Sequence, residues 1–433
     1  MSSKKGGEAV EKSRTLKNGI KLYSYVNEHQ NGFFISLFIK AGNMYESDNE
    51  AGITHFFEHI AIRNVNKLYS GRLYSELDKL GLEFNASTFS EAIQFYVSGA
   101  KEHIVSGAEY MRKVLEPIVL TKSDIDSERM RIKAEIRECD DKSSLSNFAL
   151  AKVYEGTPLM NSILGKISTL DKITLKSLVE YRQRILHPAN VFLYVTGNAS
   201  DSDLDRISEI FSDAELFSTG EVHTTEAKIP SSFFCRCDSV HIKRADYTMA
   251  RFSFDVDLTK VSAECLDLIY DILLGGYNSK LFVELSEKRG LFYDTFGGVD
   301  HFKNIGSFYF SFEVSGAKLY ETVEIALGLI ADLKRELLPQ DECMRAGFVD
   351  NAMMLFDDKS ELNFTFAYDN HILNRSYSTL KERKALYASL TPEVIRESAN
   401  IIFTPQNLTL AIKGDPKKID VLILTDIINK TLK

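Results

Sequence analysis

Hydrophobic and polar residues change their period along the chain, marking out strands and helices in turn. Leu16 to Tyr25 alternates and passes an Asn18-Gly19 pair, a hairpin signal. Phe33 to Ala41 is an almost unbroken apolar run ended by Gly42, which predicts a buried strand. Ile53 to Asn64 contains neither Pro nor Gly and predicts a helix, with Asp48, Asn49 and Glu50 in front of it as capping residues. Leu73, Leu77 and Leu80 give Ser70–Leu80 an apolar helical stripe that Gly81 stops. Alternation returns from Leu82 to Gly99 as two strands. Helices are predicted over His103–Leu115 and Ser123–Asp140, and residues 143–183 read as mostly helical with a break at Gly156–Pro158. Val191 to Thr196 closes this stretch as a strand ending in Gly197-Asn198.

That ending occurs twice. Thr174, Pro188, Asn190, Leu193 and Gly197 reappear as Thr391, Pro405, Asn407, Leu410 and Gly414, every pair 217 positions apart. Leu73, Glu76 and Leu77 reappear as Leu281, Glu284 and Leu285 at a spacing of 208. Shared spacings over several positions indicate an internal duplication, and so long a period implies two similar domains, not a solenoid. The expected fold class is α+β: two homologous α/β domains with mixed or antiparallel sheets and helices packed on one face. The domains fall at 1–217 and 233–433, joined by a polar linker over 218–232 that carries Gly220 and Pro230.

Composition narrows the possible partners. The chain of 433 residues has 52 basic and 61 acidic side chains, a net charge of −9 that disfavours nucleic acid and anionic membrane. Five cysteines are too few, and odd in number, for a disulfide framework, which points to a reducing compartment. Met1–Arg14 is polar and basic, and nowhere do 18 consecutive apolar residues occur. The expectation is a soluble, cytoplasmic protein.

The candidate chemistry sits in the first helix. His55-Phe-Phe-Glu58-His59 places two imidazoles one turn apart on the same face, a spacing that suits one zinc ion at about 2.0–2.1 Å. Glu58 is beside them, able to take a proton from a metal-bound water. A third ligand is needed. Glu128, Glu135 and Glu138 lie on one predicted helix, Glu128 and Glu135 seven positions apart on a shared face. The spacing favours neither Glu135 nor Glu138 over the other as ligand, with Glu128 available as a supporting group. The second copy lacks the motif: Leu266 to Leu274 is plain amphipathic helix. One half is expected to do chemistry and the other to bind, cover or orient.

The His-x-x-Glu-His order is the metalloprotease motif in reverse, and the chain resembles the pitrilysin/insulinase group of inverted zinc peptidases over nearly its whole length. It is most similar to the half-length members that include mitochondrial processing peptidase subunits and bacterial homologues. The blocks SLFIKAGNMYE, EAGITHFFEHI, GLEFNAST and ERMRIKAEI carry the resemblance in the first half, and LLGGYNSKLFVELSEKRGLFY carries it in the second. The resemblance implies one zinc per chain, held by His55, His59 and Glu135, with Glu58 as general base and Glu128 supporting the ligands. It implies that Asn85 and Ala86 pair with an extended substrate backbone. In the second half, the resemblance places Tyr293 on the substrate or oxyanion and puts Ser286 where the family usually has Arg. Lys288 and Arg289 stand nearby, but not at the aligned place. The implied function is a zinc endopeptidase acting on short or unfolded peptides, in a homodimer or a heterodimer with a homologous chain. Two alternatives are a dedicated maturation protease for a small ribosomal peptide product, working beside a homologous chain, and a non-catalytic partner subunit.

Overall fold

The computed structural model describes residues 10–223, 240–292, 295–339, 349–350, 353–375 and 379–433. They gather into two compact units. The first draws on 1–139, 161–225 and 353–382, the second on 140–160, 226–352 and 383–433. Each unit thus exchanges one segment relative to a contiguous half of the chain. The linker expected at 218–232 lies outside the described residues from residue 224 onward. Among the described residues no helix is long and apolar enough to cross a membrane.

The first unit is built on a six-stranded sheet. Its strands are β1 (Lys12–Thr15), β2 (Lys21–Val26), β3 (Gly32–Ile39), β4 (Glu83–Thr88), β5 (Ile93–Ala100) and β6 (Val191–Gly197), in the order β1-β2-β6-β3-β5-β4. The β1–β2 hairpin forms where alternation and Asn18-Gly19 predict it, with Gly19 at φ 91°. The second unit holds β7 (Val240–Arg244), β8 (Met249–Asp257), β9 (Thr295–His301), β10 (Ile305–Glu313) and β11 (Leu408–Gly414), ordered β7-β11-β8-β10-β9. Strand for strand this repeats β2-β6-β3-β5-β4, down to the one parallel pair in each sheet, β2 with β6 and β7 with β11. The residues that exposed the duplication do the same work in both copies. Thr174 and Thr391 cap helix N-termini with their hydroxyls. The Asn190 amide donates to the carbonyl of Ile185 (3.1 Å), and the Asn407 amide donates to that of Ile402 (2.7 Å).

In the first sheet alternate residues serve different neighbours. Phe33, Ile35, Leu37 and Ile39 of β3 join the core under the helices. Those helices are α1 (Ile53–Leu68), α2 (Leu73–Leu80), α3 (Ile104–Arg112), α4 (Lys122–Val153), α5 (Ile167–Leu170), α6 (Leu175–Ile185) and α7 (Asp201–Ser212). Phe38 of β3, with Phe192 and Tyr194 of β6, faces the other way and packs against Phe356, Leu362 and Phe366. The repeated domain keeps its own helices on one face; residues 353–375, from far along the chain, cover the other. Asn363 pins that cover. Its buried amide donates to the Tyr194 carbonyl at 3.0 Å and to the Thr196 hydroxyl at 3.3 Å, and accepts from Ser36 at 2.6 Å. Asn363→Ala would strand these groups without water, so it is expected to lower stability by about 2–4 kcal/mol, read as a shift in denaturant midpoint.

The start of α1 departs from the predicted capping. Glu46 supplies the cap, its carboxylate accepting from the backbone N–H of Gly52 at 2.7 Å and of Thr54 at 2.8 Å. The turn just before the helix, with Gly52 at φ 93°, leaves Asp48, Asn49 and Glu50 without a side-chain bond to its first N–H groups. Glu50 instead meets Arg184 through two bonds of 3.2 Å, and Asp48 accepts from Asn161 at 3.3 Å. A Cβ at Gly52 would fall 2.8 Å from the Cα of Gly165, so two glycines let the 161–165 loop press against the helix end.

Candidate metal centre

Helix α1 has two working faces. Ile53, Phe56, Phe57 and Ile60 are buried in the core. Positions 55, 58, 59, 62, 63, 66 and 67, on the helical period, line an open cleft of about 1290 Å³. Helix α4 forms another wall: Ile125, Ile132 and Ile136 hold it to the core, while Asp124, Glu128, Glu135 and Glu138 line the cleft. Residues 84–88 of β4 border it as well, Asn85 exposed and Ala86 half-buried. Among the described residues β4 stands at the edge of its sheet, paired with β5 alone.

At the centre the two histidines converge on one carboxylate oxygen. Glu135 Oε2 lies 3.3 Å from His55 Nε2 and 3.5 Å from His59 Nε2. His59 Nδ1 bonds Glu128 Oε1 at 3.0 Å. Glu58 Oε2 is 3.4 Å from His55 Nδ1, a buried nitrogen with no hydrogen bond, and accepts from the Thr88 hydroxyl at 3.3 Å. Ligating atoms of His55, Glu58 and His59 all fall within 4.8 Å of one another.

These spacings are also compatible with ligation of one metal ion. Ligands about 2.0–2.1 Å from a tetrahedral ion stand about 3.3–3.4 Å apart. An N–H···O bond prefers about 2.7–3.2 Å. The 3.3 and 3.5 Å separations from Glu135 would let these three side chains share one ion. Glu58, facing the opposite nitrogen of His55, stands beside this set.

The electrostatics of the site follow from the same contacts. Burial would lower the pKa of His59, but Glu128 and Glu135 outweigh it and raise it to about 9. His55 is raised for the same reason, by Glu135 and Glu58 against its burial. Hydrogen bonds with the two histidines hold the Glu135 carboxyl far below the usual carboxylate range. For Glu128 burial pulls upward, and its bonds to His59 and Arg63 turn the net shift downward. A cation bound here would compete with protons for the histidine nitrogens.

The sequence-predicted residues His55, Glu58, His59, Glu128, Glu135, Asn85 and Ala86 thus line one cleft. Tyr293 lies outside the described residues. Ser286 sits in the helical turn Phe282–Glu287 of the second unit, where Lys288 and Arg289 both pair with Glu284 at 2.9 Å. Sequence reasoning missed Arg63, Asp124 and Thr88. Arg63 bonds Glu128 Oε2 at 2.9 Å and Asp124 at 3.3 Å. Its signal was present, since Arg63 follows His59 by four positions and Asp124 precedes Glu128 by four.

Residues 25–166 match the domain described as insulinase (peptidase family M16), and residues 172–346 match the peptidase M16 inactive domain. An uncharacterized zinc protease of Rickettsia felis is 26% identical over 285 residues, 64% of this chain and 67% of that protein. The mitochondrial-processing peptidase subunit beta of Rattus norvegicus is 25% identical over 210 residues, 48% of this chain and 43% of that one. The crystal structure of a protease from Helicobacter pylori shares the fold with a TM-score of 0.85 at 19% identity, covering 94% of this chain and 100% of that chain. The chain belongs to the insulinase (M16) family of metallopeptidases. The first matched stretch contains the His55–His59 motif and the second does not.

Proposed function

We propose that this chain is a zinc endopeptidase that cleaves short or unfolded peptides, using its first homologous half for chemistry and its second to bind or orient the substrate. The observation that carries this reading is the convergence of His55, His59 and Glu135 on one point, with Glu58 beside it and an edge strand along the same cleft. His55, His59 and Glu135 would hold the ion. Zinc bound there supplies Lewis acidity, which polarises a peptide carbonyl and makes water more acidic. Glu58 takes the proton of the attacking water and passes it to the departing amine. Thr88 donates to Glu58 and helps fix its orientation. Glu128 holds the His59 ring through Nδ1, leaving Nε2 for the ion. The edge of β4 not paired with β5 takes up an extended substrate as an added strand, with Asn85 and Ala86 at the contact. Such docking selects peptides that are already extended, which argues for short or unfolded substrates. The resemblance adds Tyr293 as a donor to the substrate.

We read the working form as a dimer, with a second copy or with a homologous chain; the relative named as a processing-peptidase subunit supports this. Metal content tests the first step. Protein stripped with a chelator and dialysed against zinc is expected to retain about one ion per chain, and His59→Ala to retain none. Wild-type protein that leaves dialysis without zinc would remove the basis of the proposal.

A further inference from the structure

Glu128 is 3% exposed, and a carboxylate so deeply placed needs partners for its charge. It has one on each oxygen. Oε1 accepts from His59 Nδ1 at 3.0 Å and Oε2 from Arg63 at 2.9 Å. Arg63 is itself held from behind, its second arm bonding Asp124 at 3.3 Å, and Asp124 lies 3.8 Å from Lys67. On α1 the residues fall at 59, 63 and 67, and on α4 at 124 and 128, steps of four on both helices. The result is a ladder of alternating charge between the two helices that ends on a histidine of the metal centre. Arg131 also approaches Glu128, but at 3.7 Å and 75% exposed it is no substitute.

We propose that Arg63 is a positioning residue for the metal centre: by clamping Glu128 it fixes the ring of His59 and so sets the affinity for zinc. The inference rests on His55, His59 and Glu135 being the zinc ligands. The fork geometry of a guanidinium lets one side chain hold Glu128 and Asp124 at once, which an ammonium or an amide does less well. Without Arg63, Glu128 keeps His59 as its one close partner and can turn on its side-chain torsions. The Nδ1–H of His59 then loses a fixed acceptor, and Nε2 its fixed direction toward Glu135. Groups that bond a ligating histidine directly, as Glu128 would, are worth about 10–100-fold in affinity, and Arg63 acts one bond further out.

The test is zinc affinity measured by chelator competition on the full chain, alongside the melting temperature of the metal-free protein. Arg63→Gln is expected to weaken zinc binding by up to about 10-fold, the low end of the range for direct partners of a ligand, with Arg63→Lys recovering a large part of the loss. Asp124→Asn, a change at a partly exposed position, is expected to weaken binding by a smaller factor while leaving folding intact; it serves if Arg63→Gln does not fold. Arg131→Gln is expected to bind like wild type. Wild-type affinity in both Arg63→Gln and Asp124→Asn would overturn the role of Arg63 while leaving the zinc site standing. Equal losses in Arg63→Gln and Arg63→Lys, tracking a fall in metal-free melting temperature, would show a purely structural ion pair and overturn it too. A wild-type chain that binds no zinc would overturn the underlying reading with it.

Discussion

Glu58→Gln is expected to reduce peptide cleavage by about 10²–10⁴-fold, the range general bases contribute, while zinc stays bound. The amide keeps the size and shape of the carboxylate and can still accept from Thr88, whose hydroxyl stands 3.3 Å from Glu58 Oε2. It cannot accept a proton at neutral pH. Zinc content is expected to hold because the convergence of the two Nε2 atoms on Glu135 does not pass through Glu58. Steady-state hydrolysis of an unstructured peptide, run beside metal analysis of the same samples, separates the two effects. Loss of zinc together with loss of cleavage would make Glu58 a ligand and leave the base unassigned.

The second large effect concerns the choice between two acids on α4. Glu135→Ala is expected to weaken zinc binding by more than the roughly 100-fold that marks the upper range for groups behind the ligands. Glu138→Ala is expected to change it little. Both side chains line the cleft, but Glu135 Oε2 lies 3.3 and 3.5 Å from the two histidine nitrogens. Removing it also removes the negative charge that offsets two imidazoles meeting at one point, so the remaining pair would have to hold a dication alone. Competition with a chelator of known affinity measures both variants directly. A larger loss in Glu138→Ala than in Glu135→Ala would reassign the third ligand.

This pair of acids marks where the sequence stops being sufficient. Spacing put Glu128, Glu135 and Glu138 on one helix, because helical geometry is local. Which carboxylate meets two histidines some 80 positions away depends on how α1 and α4 cross, and periodicity along either helix does not contain that. The resemblance pointed to Glu135, whose carboxylate lies 3.3 and 3.5 Å from the two histidines. The duplication was legible for a different reason. Caps such as Thr174 and Thr391, and buried amides such as Asn190 and Asn407, satisfy backbone groups that every copy of the fold must satisfy, so they stay in register when surface residues drift.

Other features left weaker marks. Five polar or acidic residues, Glu46 to Glu50, precede α1, and the turn at Gly52 decides that Glu46 reaches the helix N–H groups. The cover over the second face of the first sheet comes from residues 353–375, whose pairing with Ser36 and Phe38 spans more than 300 positions and leaves no local period. Arg63 and Asp124 did carry a signal in their four-residue steps. Such pairs are usually solvated and weak, and only the burial of Glu128 gives this one weight.

The measurement that bears most directly on the central claim is a digest of unstructured peptides of about 10–40 residues, lengths that suit docking along a strand edge, with products read by mass spectrometry. Samples would hold the zinc-loaded chain, the chelator-stripped chain, the stripped chain with zinc restored, and Glu58→Gln. The account predicts internal cleavage by the loaded chain, its loss on stripping, its return with zinc, and none from Glu58→Gln. Cleavage that persists in the stripped chain or in Glu58→Gln would contradict it, as would a fully loaded chain, tested alone and with its homologous partner, that leaves every peptide intact.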